Sequence, residues 1–416
     1  MRAGTECALG ALEWRNLVRP DDLVVWAQGC AEPTGLTGSL IAARAEAGGF
    51  RAFVGISHGA SADPANSDYI SYRSYCGTGN NRKLGEKLDI MPIHYTALAP
   101  TLAAEAPVVL LTLAEGDDAD HFSFGMAGDY IGDLLHRARL VIAEVSPHYP
   151  RTGTGKAISR HALDLIVRTQ SVPLLSSASR LGPPEQRIAR HVAGIIEDGS
   201  TLQLGLGNIP AAILDALSSH RDLGIHSGMI VDGVADLAEA GIITNARKSI
   251  DQGLTVTGLL SGSERLMRWA DRNGALSLRP TSYTHDANVL ASIDRFVAIN
   301  SAIEIDLTGQ VNAEVAGGRY VGAVGGGAVF LRGAHASRGG LPIIALPSCA
   351  GDSSRIVETL SGPVSTARSD VGIVVTEHGI ADLRGASIAE RRRRLLAITD
   401  PTHVAKLEQG SGTNNL

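Results

Sequence analysis

The stretch LQLGLGNIPAAILDAL, residues 202–217, reads as a short buried strand, a glycine-containing loop and a helix. Gly205 and Gly207 allow the backbone to turn tightly or to pass close to a ligand. Pro210 stands where the first helical turn is expected, and the N–H groups exposed at such a helix start can bind an anion or a polarised carbonyl oxygen. A plain tight turn is the simpler interpretation of the two glycines. Ile209 and Pro210 also replace the third glycine of a dinucleotide-binding loop, so this is not a dinucleotide site.

Short apolar runs of the same kind recur on both sides of this stretch. They are rich in Val, Ile and Leu without polar alternation, which is typical of strands buried on both faces of a parallel sheet. Between them lie helical patterns such as RIARHVAGIIEDG, residues 187–199. The alternation predicts an α/β fold with doubly wound, mainly parallel sheets. The other runs are Leu23–Trp26, Val108–Leu113, Leu140–Val145, Phe296–Ile299, Ile343–Leu346 and Val371–Val375.

The chain has 416 residues, of which 44% are hydrophobic, and this is more than one core usually absorbs. We therefore expect two domains. The best boundary is the turn at Gly182-Pro183-Pro184, which precedes the 187–199 helix. It predicts domains at residues 1–180 and 181–416.

Charge and cysteine content exclude several classes of function. The net charge of -6 leaves no basic patch for nucleic acid. No two of the four cysteines form a CxxC pair, and no His/Cys cluster has zinc spacing, so no metal site and a reducing compartment are expected. The sequence shows no secretory signal and no apolar run of about 18 residues that could span a membrane. We therefore expect a cytoplasmic protein. The cysteines are Cys7, Cys30, Cys76 and Cys349.

A second polar feature follows a predicted strand in AINSAIEIDLTGQVN, residues 298–312. Asn300 lies where the strand is expected to end, and its amide could donate a hydrogen bond to an oxyanion. An isolated asparagine is more commonly a cap or turn residue. Glu304 and Asp306 alternate with isoleucines, which predicts a further strand.

Three more motifs have weaker chemical content. Gly325–Gly327 in VGAVGGGAVF are interpreted either as a hinge or bulge or as a close backbone approach to a ligand. TGTGK at residues 152–156 is predicted to be a loop rather than a phosphate-binding loop, because Pro150 and Ala157 occupy positions that such a loop requires for glycine and Ser/Thr. Arg391–Arg394 are predicted to form a solvated helix face, with contact to a CoA phosphate as the alternative.

Taken together, long blocks of this sequence resemble the acetyl-CoA hydrolase/transferase family, which includes the 4-hydroxybutyrate CoA-transferases within the class I CoA-transferase fold. The resemblance implies two NagB/RpiA-like α/β domains, a coenzyme A thioester as substrate and a homodimer. The blocks, in chain order, are Gly29–Pro33, VIAEVSPHYPRTGTG, LQLGLGNIP, HSGMIVDGVADLAEAGIITNARK, AINSAIEIDLTGQVNAE, GAVGGGAVFLRGA, GGLPIIALPS and VVTEHGIADLRGASIAERRRRLLAI.

In this family a glutamate attacks the acyl-CoA thioester and forms covalent intermediates. The glutamate belongs to a block that is here HSGMIVDG, residues 226–233, and Gly228 stands at its position. A glycine offers no nucleophile, so the family's covalent transfer should be absent unless another carboxylate replaces it. The resemblance keeps the rest of the pocket for CoA and for the oxyanion: Gly205, Gly207, Asn208, Gly228, Asn300, Gly325, Gly326 and Gly327.

The sequence therefore predicts an acyl-CoA thioester enzyme that works without a glutamyl intermediate, by hydrolysis, direct acyl transfer or cyclisation. Its partners would be an acyl-CoA and water or a small acceptor. His226, Asp232 and Glu304 are candidate general bases, although His226 is more simply a packed histidine. One alternative is a conventional CoA-transferase that uses another carboxylate and forms a reducible enzyme thioester. The other is a non-catalytic protein that binds acyl-CoA without turnover.

Overall fold

The computed structural model describes residues 3–153, 158–176, 181–205 and 207–409. Its contacts group the chain into two compact units. Each unit is made of several segments of the chain, and the division into domains at 1–180 and 181–416 remains a prediction. Unit 1 is Met1–Ala178, Ser227–Ala235 and Leu254–Asp286, and unit 2 is Ser179–His226, Asp236–Gly253 and Ala287–Leu416.

Strands and helices alternate along the first 176 residues, as the apolar runs predicted. Short 3-10 helices interrupt the loops at Leu9–Ala11, Gly29–Ala31, Pro64–Asp68, Asn80–Lys83, Gly85–Lys87 and Arg160–Ala162. The strands and α-helices are β1 (Thr5–Cys7), α1 (Trp14–Leu17), β2 (Leu23–Trp26), α2 (Thr34–Ala42), β3 (Phe50–Phe53), β4 (Ile70–Ser74), β5 (Leu88–Ile90), α3 (Tyr95–Ala103), β6 (Val108–Glu115), β7 (His121–Ser123), α4 (Tyr130–Leu134), β8 (Leu140–Val145), β9 (Ile158–Ser159) and β10 (Leu165–Arg168).

The middle of the chain continues the alternation and carries the motif quoted first. Its elements are α5 (Pro183–Ala193), β11 (Thr201–Leu204), α6 (Asn208–Ala216), β12 (Gly224–Ile230), α7 (Asp232–Glu239), β13 (Thr255–Leu260), α8 (Glu264–Ala270), β14 (Leu276–Leu278), α9 (Thr281–Thr284) and α10 (Ala287–Ala291).

The last part of the chain adds long parallel strands and several two-residue strands. Its elements are β15 (Phe296–Ser301), β16 (Glu304–Asp306), β17 (Val311–Asn312), β18 (Val315–Ala316), β19 (Arg319–Tyr320), α11 (Gly327–Ala336), β20 (Leu341–Ala345), β21 (Cys349–Ala350), β22 (Ser353–Ser354), β23 (Ile356–Val357), β24 (Ile373–Thr376), β25 (Gly379–Asp382), α12 (Ile388–Leu396) and α13 (Pro401–Gln409).

In unit 1 the main sheet has the order β1-β10-β8-β6-β2-β3-β4-β5, and every pair along this path is parallel. The central strands are buried on both faces: all four residues of β2 are buried. A run such as Leu23–Trp26 has no polar alternation because neither face of it meets water. Trp26, Phe50 and Leu110 belong to the core around this sheet.

In unit 2 the order is β12-β11-β15-β20-β24-β25, in which only the last pair is antiparallel. β12 enters this order through Gly224 and Ile225, and from Ser227 onward the strand belongs to unit 1. Phe296, Leu331 and Val374 belong to the core of this unit. The predicted α/β fold class with mainly parallel strands is confirmed.

The local predictions also hold. Each of the seven apolar runs forms a strand, two of them with the predicted ends and the others with ends that shift by at most two residues. The predicted helix at 187–199 begins earlier, at Pro183, and also ends earlier, at Ala193, because Gly194 and the following residues form turns. At its start the Glu185 carboxylate accepts a hydrogen bond of 3.1 Å from the Gly182 N–H. Proline is tolerated in a first helical turn, so the predicted turn at Gly182-Pro183-Pro184 is also the helix start. Among the described residues, no helix is long and apolar enough to cross a membrane.

Candidate functional site

Gly205, the start of α6 at Asn208, and Asn300 lie at one edge of the unit 2 sheet. β11 and β15 are parallel neighbours, with Leu204 opposite Ile299. The Gly205 N–H donates to the Ile299 carbonyl across 3.2 Å. Because the carboxyl ends of parallel strands share an edge, the loop after β11 and the end of β15 meet there. The predicted strand-loop-helix is therefore confirmed in form, with Gly207 at φ 113° preceding α6.

The Asn300 side chain is held in place by two neighbours. Its Nδ2 donates to the Oε1 of Gln203, at 3.0 Å, and Gln203 is buried. A Cβ placed on Gly327 would lie 3.3 Å from the Asn300 Oδ1, so a side chain there would require the Asn300 amide to shift by a few tenths of an ångström. An amide NH₂ has two hydrogens, and only one is used by Gln203 within the described part of the chain. The second can be offered to a ligand oxygen.

Gly325–Gly327 form the entry to α11 rather than a bulge in a strand. Gly325 has a φ of +57°, a conformation that favours glycine, and Gly326 caps the helix. Helix α11 is ten residues long, and the N–H groups of Val329 and Phe330 donate to the Gly326 carbonyl, which leaves the N–H groups of Gly327 and Ala328 without an intrahelical acceptor. This end of the helix lies beside Asn300, so backbone and side-chain donors come together at one point of unit 2.

His226 is completely buried in β12 and packs edge-on against Phe296, with the ring centroids 6.4 Å apart. This placement agrees with a packed histidine, the simpler of the two interpretations. Its role as a general base stays a prediction.

Gly228 and Asp232 lie in unit 1. Gly228 is half-buried near the end of β12. The Asp232 carboxylate accepts hydrogen bonds from the Ser263 Oγ at 2.7 Å and from the Leu266 N–H at 3.1 Å. Both donors belong to the start of α8, so Asp232 caps that helix, and each of these bonds uses a lone pair that a general base would need.

Glu304 is buried in β16, and its recorded hydrogen bonds all end on Oε1. The donors are the Asn312 Nδ2 at 2.9 Å, the Ser361 N–H at 2.7 Å, the Ser361 Oγ at 2.9 Å and the Gly362 N–H at 3.1 Å. The Glu304 carboxylate therefore hydrogen-bonds the loop at residues 361–362 to the small sheet of β16, β17 and β23. Its function as a base stays a prediction.

Replacing Glu304 by alanine is expected to lower the free energy of unfolding by about 3 kcal/mol, because several buried donors lose a charged acceptor. Glu304→Gln keeps an acceptor oxygen and should lose about 1 kcal/mol. The midpoint of urea unfolding measures both. Glu358→Ala is the matched control, since Glu358 is exposed beside β23 and should change stability by less than about 0.5 kcal/mol. Equal effects of Glu304→Ala and the control would contradict this role.

Sequence reasoning missed a buried polar cluster in unit 1. The Gln28 Nε2 donates to the Tyr95 hydroxyl at 2.7 Å and to the Asp129 carboxylate at 2.6 Å, while its Oε1 accepts from the Tyr75 hydroxyl at 2.9 Å. Burial raises the pKa of Asp129 to about 6. The only available signal was Gln28 itself, a polar residue that ends the apolar run of residues 23–27.

Gln203 was missed in the same way, although it interrupts the apolar strand of the first motif. A polar side chain between two buried leucines needs a partner inside the protein, and Asn300 is that partner.

The two remaining motifs stand apart from these residues. Of TGTGK, Thr152 and Gly153 line a polar cleft of about 820 Å³ in unit 1, and its other residues lie outside the described part of the chain. Arg391–Arg394 lie on helix α12, as predicted. Arg391 donates to the Arg368 carbonyl at 2.8 Å and Arg394 to the Glu390 carboxylate at 2.6 Å. These contacts agree with a surface helix whose arginines bind their own unit.

A family model called "Acetyl-CoA hydrolase/transferase C-terminal domain" matches residues 262–410. The chain is 40% identical over 298 residues to the 4-hydroxybutyrate coenzyme A transferase of Clostridium kluyveri. This match covers 71% of this chain and 70% of that protein.

Two solved structures resemble the whole chain. RipA from Yersinia pestis is 29% identical with a TM-score of 0.91, and the match covers 98% of this chain and 96% of RipA. A 4-hydroxybutyrate CoA-transferase from Porphyromonas gingivalis is 30% identical with a TM-score of 0.81, over 97% of this chain and 96% of that one.

Proposed function

This chain belongs to the acetyl-CoA hydrolase/transferase family, and we propose that it cleaves an acyl-CoA thioester without a covalent bond to one of its own glutamates. The observation that supports the proposal is Gly228 in the HSGMIVDG block, the position that the resemblance assigns to the attacking glutamate of the family. Covalent catalysis needs a nucleophilic atom within bonding distance of the thioester carbon, and glycine has none. The attacking group must then come from water or from a second substrate.

The donors of unit 2 support the second part of the proposal, which is stabilisation of the oxyanion. When a nucleophile adds to a thioester, the carbonyl oxygen becomes negative, and fixed donors lower the energy of that state. Asn300, with one free amide hydrogen, lies beside the open N–H groups that begin α11. In this proposal they bind the thioester oxygen, and the glycines around them let the backbone approach it.

Hydrolysis is the simplest reaction of this kind. Water adds to the thioester carbon, the oxyanion forms and collapses, and the carbon–sulfur bond breaks to give a free acid and CoA. An acceptor amine or alcohol, or a nucleophile on the acyl chain itself, can take the place of water without any other change. The general class is therefore non-covalent acyl transfer from CoA, with water as one acceptor.

Purified protein is expected to release free CoA thiol from at least one member of a panel of acyl-CoAs, with and without added acceptors. Thiol release measured with a chromogenic disulfide reports this directly. Silence across the whole panel would contradict the proposal.

Borohydride added during turnover separates this mechanism from a conventional transferase, because a glutamyl-CoA thioester is reducible and changes the mass of the chain. We expect intact-protein mass spectrometry to show no such change. A reduced carboxylate located by peptide mapping would mean that another residue forms the covalent intermediate.

A further inference from the structure

In unit 1 the imidazole ring of His58 lies beside Gly29, which carries no side chain. β2 and β3 are parallel neighbours, with Val25 opposite Phe53. The loops that follow them hold Gly29 and His58, so both residues lie at the carboxyl edge of the sheet, where α/β proteins place their ligands. Gly29 has a φ of +62°, and its N–H donates to the Ile56 carbonyl at 2.6 Å. That bond holds the two loops together.

His58 and Gly228 are connected within unit 1 through Gly29 and strand β13. A Cβ placed on Gly29 would lie 3.9 Å from the His58 Cδ2, 4.0 Å from its Nε2 and 3.8 Å from the Leu259 Cδ2. Leu259 follows Gly258 in β13, and a Cβ on Gly258 would lie 3.0 Å from the carbonyl oxygen of Gly228. We call Gly29, Gly228 and Gly258 the glycine patch. His58 lies beside Gly29 of this patch, where an added Cβ would make only ordinary contacts, whereas a Cβ on Gly258 would crowd the Gly228 carbonyl, so the backbones of β12 and β13 approach closely there.

We propose that His58 is the general base that takes the proton from the attacking water or acceptor. This inference rests on the proposed function. As the water oxygen bonds to the thioester carbon, the His58 Nε2 takes one of its protons and the carbonyl electron pair moves to oxygen. When that pair returns, the carbon–sulfur bond breaks, and the thiolate takes the proton back from the imidazolium. The products are a free acid and CoA thiol, and His58 is neutral again.

The His58 ring is more open to a ligand than the side chains of the three earlier candidate bases. His226 is completely buried against Phe296, and the carboxylates of Asp232 and Glu304 are occupied by several hydrogen bonds. The His58 ring is half-buried, and within the described residues no hydrogen bond to it is recorded. Its carbonyl accepts from the Asn80 side chain at 3.0 Å, which fixes the backbone while both ring nitrogens stay open to a ligand.

The protonation state of the ring agrees with this role. Burial lowers the pKa of His58, so the imidazole is neutral and able to accept a proton at pH 7. Two titratable groups lie near its backbone: Cys30 follows Gly29, and the Glu32 carboxylate would lie 2.9 Å from a Cβ on Gly59. Burial raises the pKa of both groups. Activity should therefore fall as the pH drops through the lowered pKa of His58 and stay level above it.

His58→Gln tests the proposal on the full chain. With an acyl-CoA that the unaltered chain cleaves, kcat/KM at pH 7.5 is expected to fall by about 10²–10⁴-fold, the usual contribution of a general base. The acidic limb of the pH profile should disappear. In His58→Gly, added imidazole should restore part of the rate, which a purely structural residue would not allow. His148→Gln is the matched control, because His148 is exposed and pairs with Gln170 at 3.2 Å.

A second measurement needs no turnover. A non-cleavable acyl-CoA thioether should slow carbethoxylation of His58 by diethylpyrocarbonate at least tenfold, as read by mass spectrometry, and leave His148 unprotected. Unchanged modification of His58 overturns the proposal, as does a His58→Gln variant with normal rate and pH profile. Lack of thiol release from the unaltered chain overturns the proposed function and the base together. An active unaltered chain, loss of the acidic limb in His58→Gln and rescue of His58→Gly by imidazole together identify His58 as the base.

Discussion

Gly228→Glu is expected to convert the chain into an enzyme that moves CoA between carboxylates. A glutamate at this position would offer a carboxylate oxygen to the thioester carbon, as members of the family do, and would form an acyl anhydride and then a glutamyl-CoA thioester. Gly228 is half-buried, so a side chain there can reach a ligand. We expect acetate-dependent exchange of labelled CoA to rise by at least about 100-fold, which corresponds to about 2.7 kcal/mol in the barrier.

Gly228→Gln is the matched control, because it has the same shape without the nucleophile. It should show no exchange, and since it fills the glycine patch, it should also slow direct thiol release. Borohydride should change the mass of Gly228→Glu by reduction of its thioester and leave Gly228→Gln unchanged. If both variants behave alike in exchange and in mass, the remaining pocket does not support thioester chemistry, and the proposal that only the nucleophile is missing is wrong.

Asn300→Ala is expected to lower kcat for thiol release by about 10²–10³-fold, the loss usually seen when one oxyanion donor is removed. The KM should change much less, because the donor acts mainly on charge that develops after substrate binding. Asn300→Asp keeps the shape and places a negative oxygen next to the oxyanion, so it should lose at least as much. Stopped-flow or steady-state thiol release with the same acyl-CoA measures all three.

Gln203→Met separates positioning from donation. It removes the acceptor that orients the Asn300 amide, at 3.0 Å, but leaves both amide hydrogens in place. We expect Gln203→Met to lower kcat by about tenfold, equal to about 1.4 kcal/mol, so that its rate lies between those of the unaltered chain and Asn300→Ala. If Asn300→Ala strongly raised KM and left kcat unchanged, Asn300 would bind substrate and would not stabilise the transition state.

Much of the architecture follows from local pattern. Strands such as Leu23–Trp26 and Leu140–Val145 appear with the predicted ends, because a run that is apolar on both sides is stable only between two covering layers. The loop of residues 205–208 and the strand end at Asn300 were also correct. Two parallel strands that each end in a polar or glycine-containing loop place those loops at the same edge, so this part of the site follows from topology once the strands are known.

The predicted bases show where this reasoning stops. Spacing placed Asp232 near the missing glutamate in the chain, yet its carboxylate caps α8 through Ser263 and Leu266. Glu304 has the alternation of a strand residue and uses one oxygen to bind a loop 57 residues away. Whether a carboxylate is available to a substrate depends on which donors surround it, and those donors come from distant segments.

The amino-acid order alone settled the α/β class, the positions of the strands in the seven apolar runs, the family and the presence of glycine at residue 228. These are properties of neighbouring residues, since burial, turn formation and motif identity are read within a few positions of the chain. Tertiary structure decided which polar groups meet. The Gln28–Asp129 bond joins residues 101 positions apart, and the approach of His58 and Leu259 to Gly29 depends on three separate segments of the chain. Such contacts arise only when the packed sheet brings its carboxyl ends together.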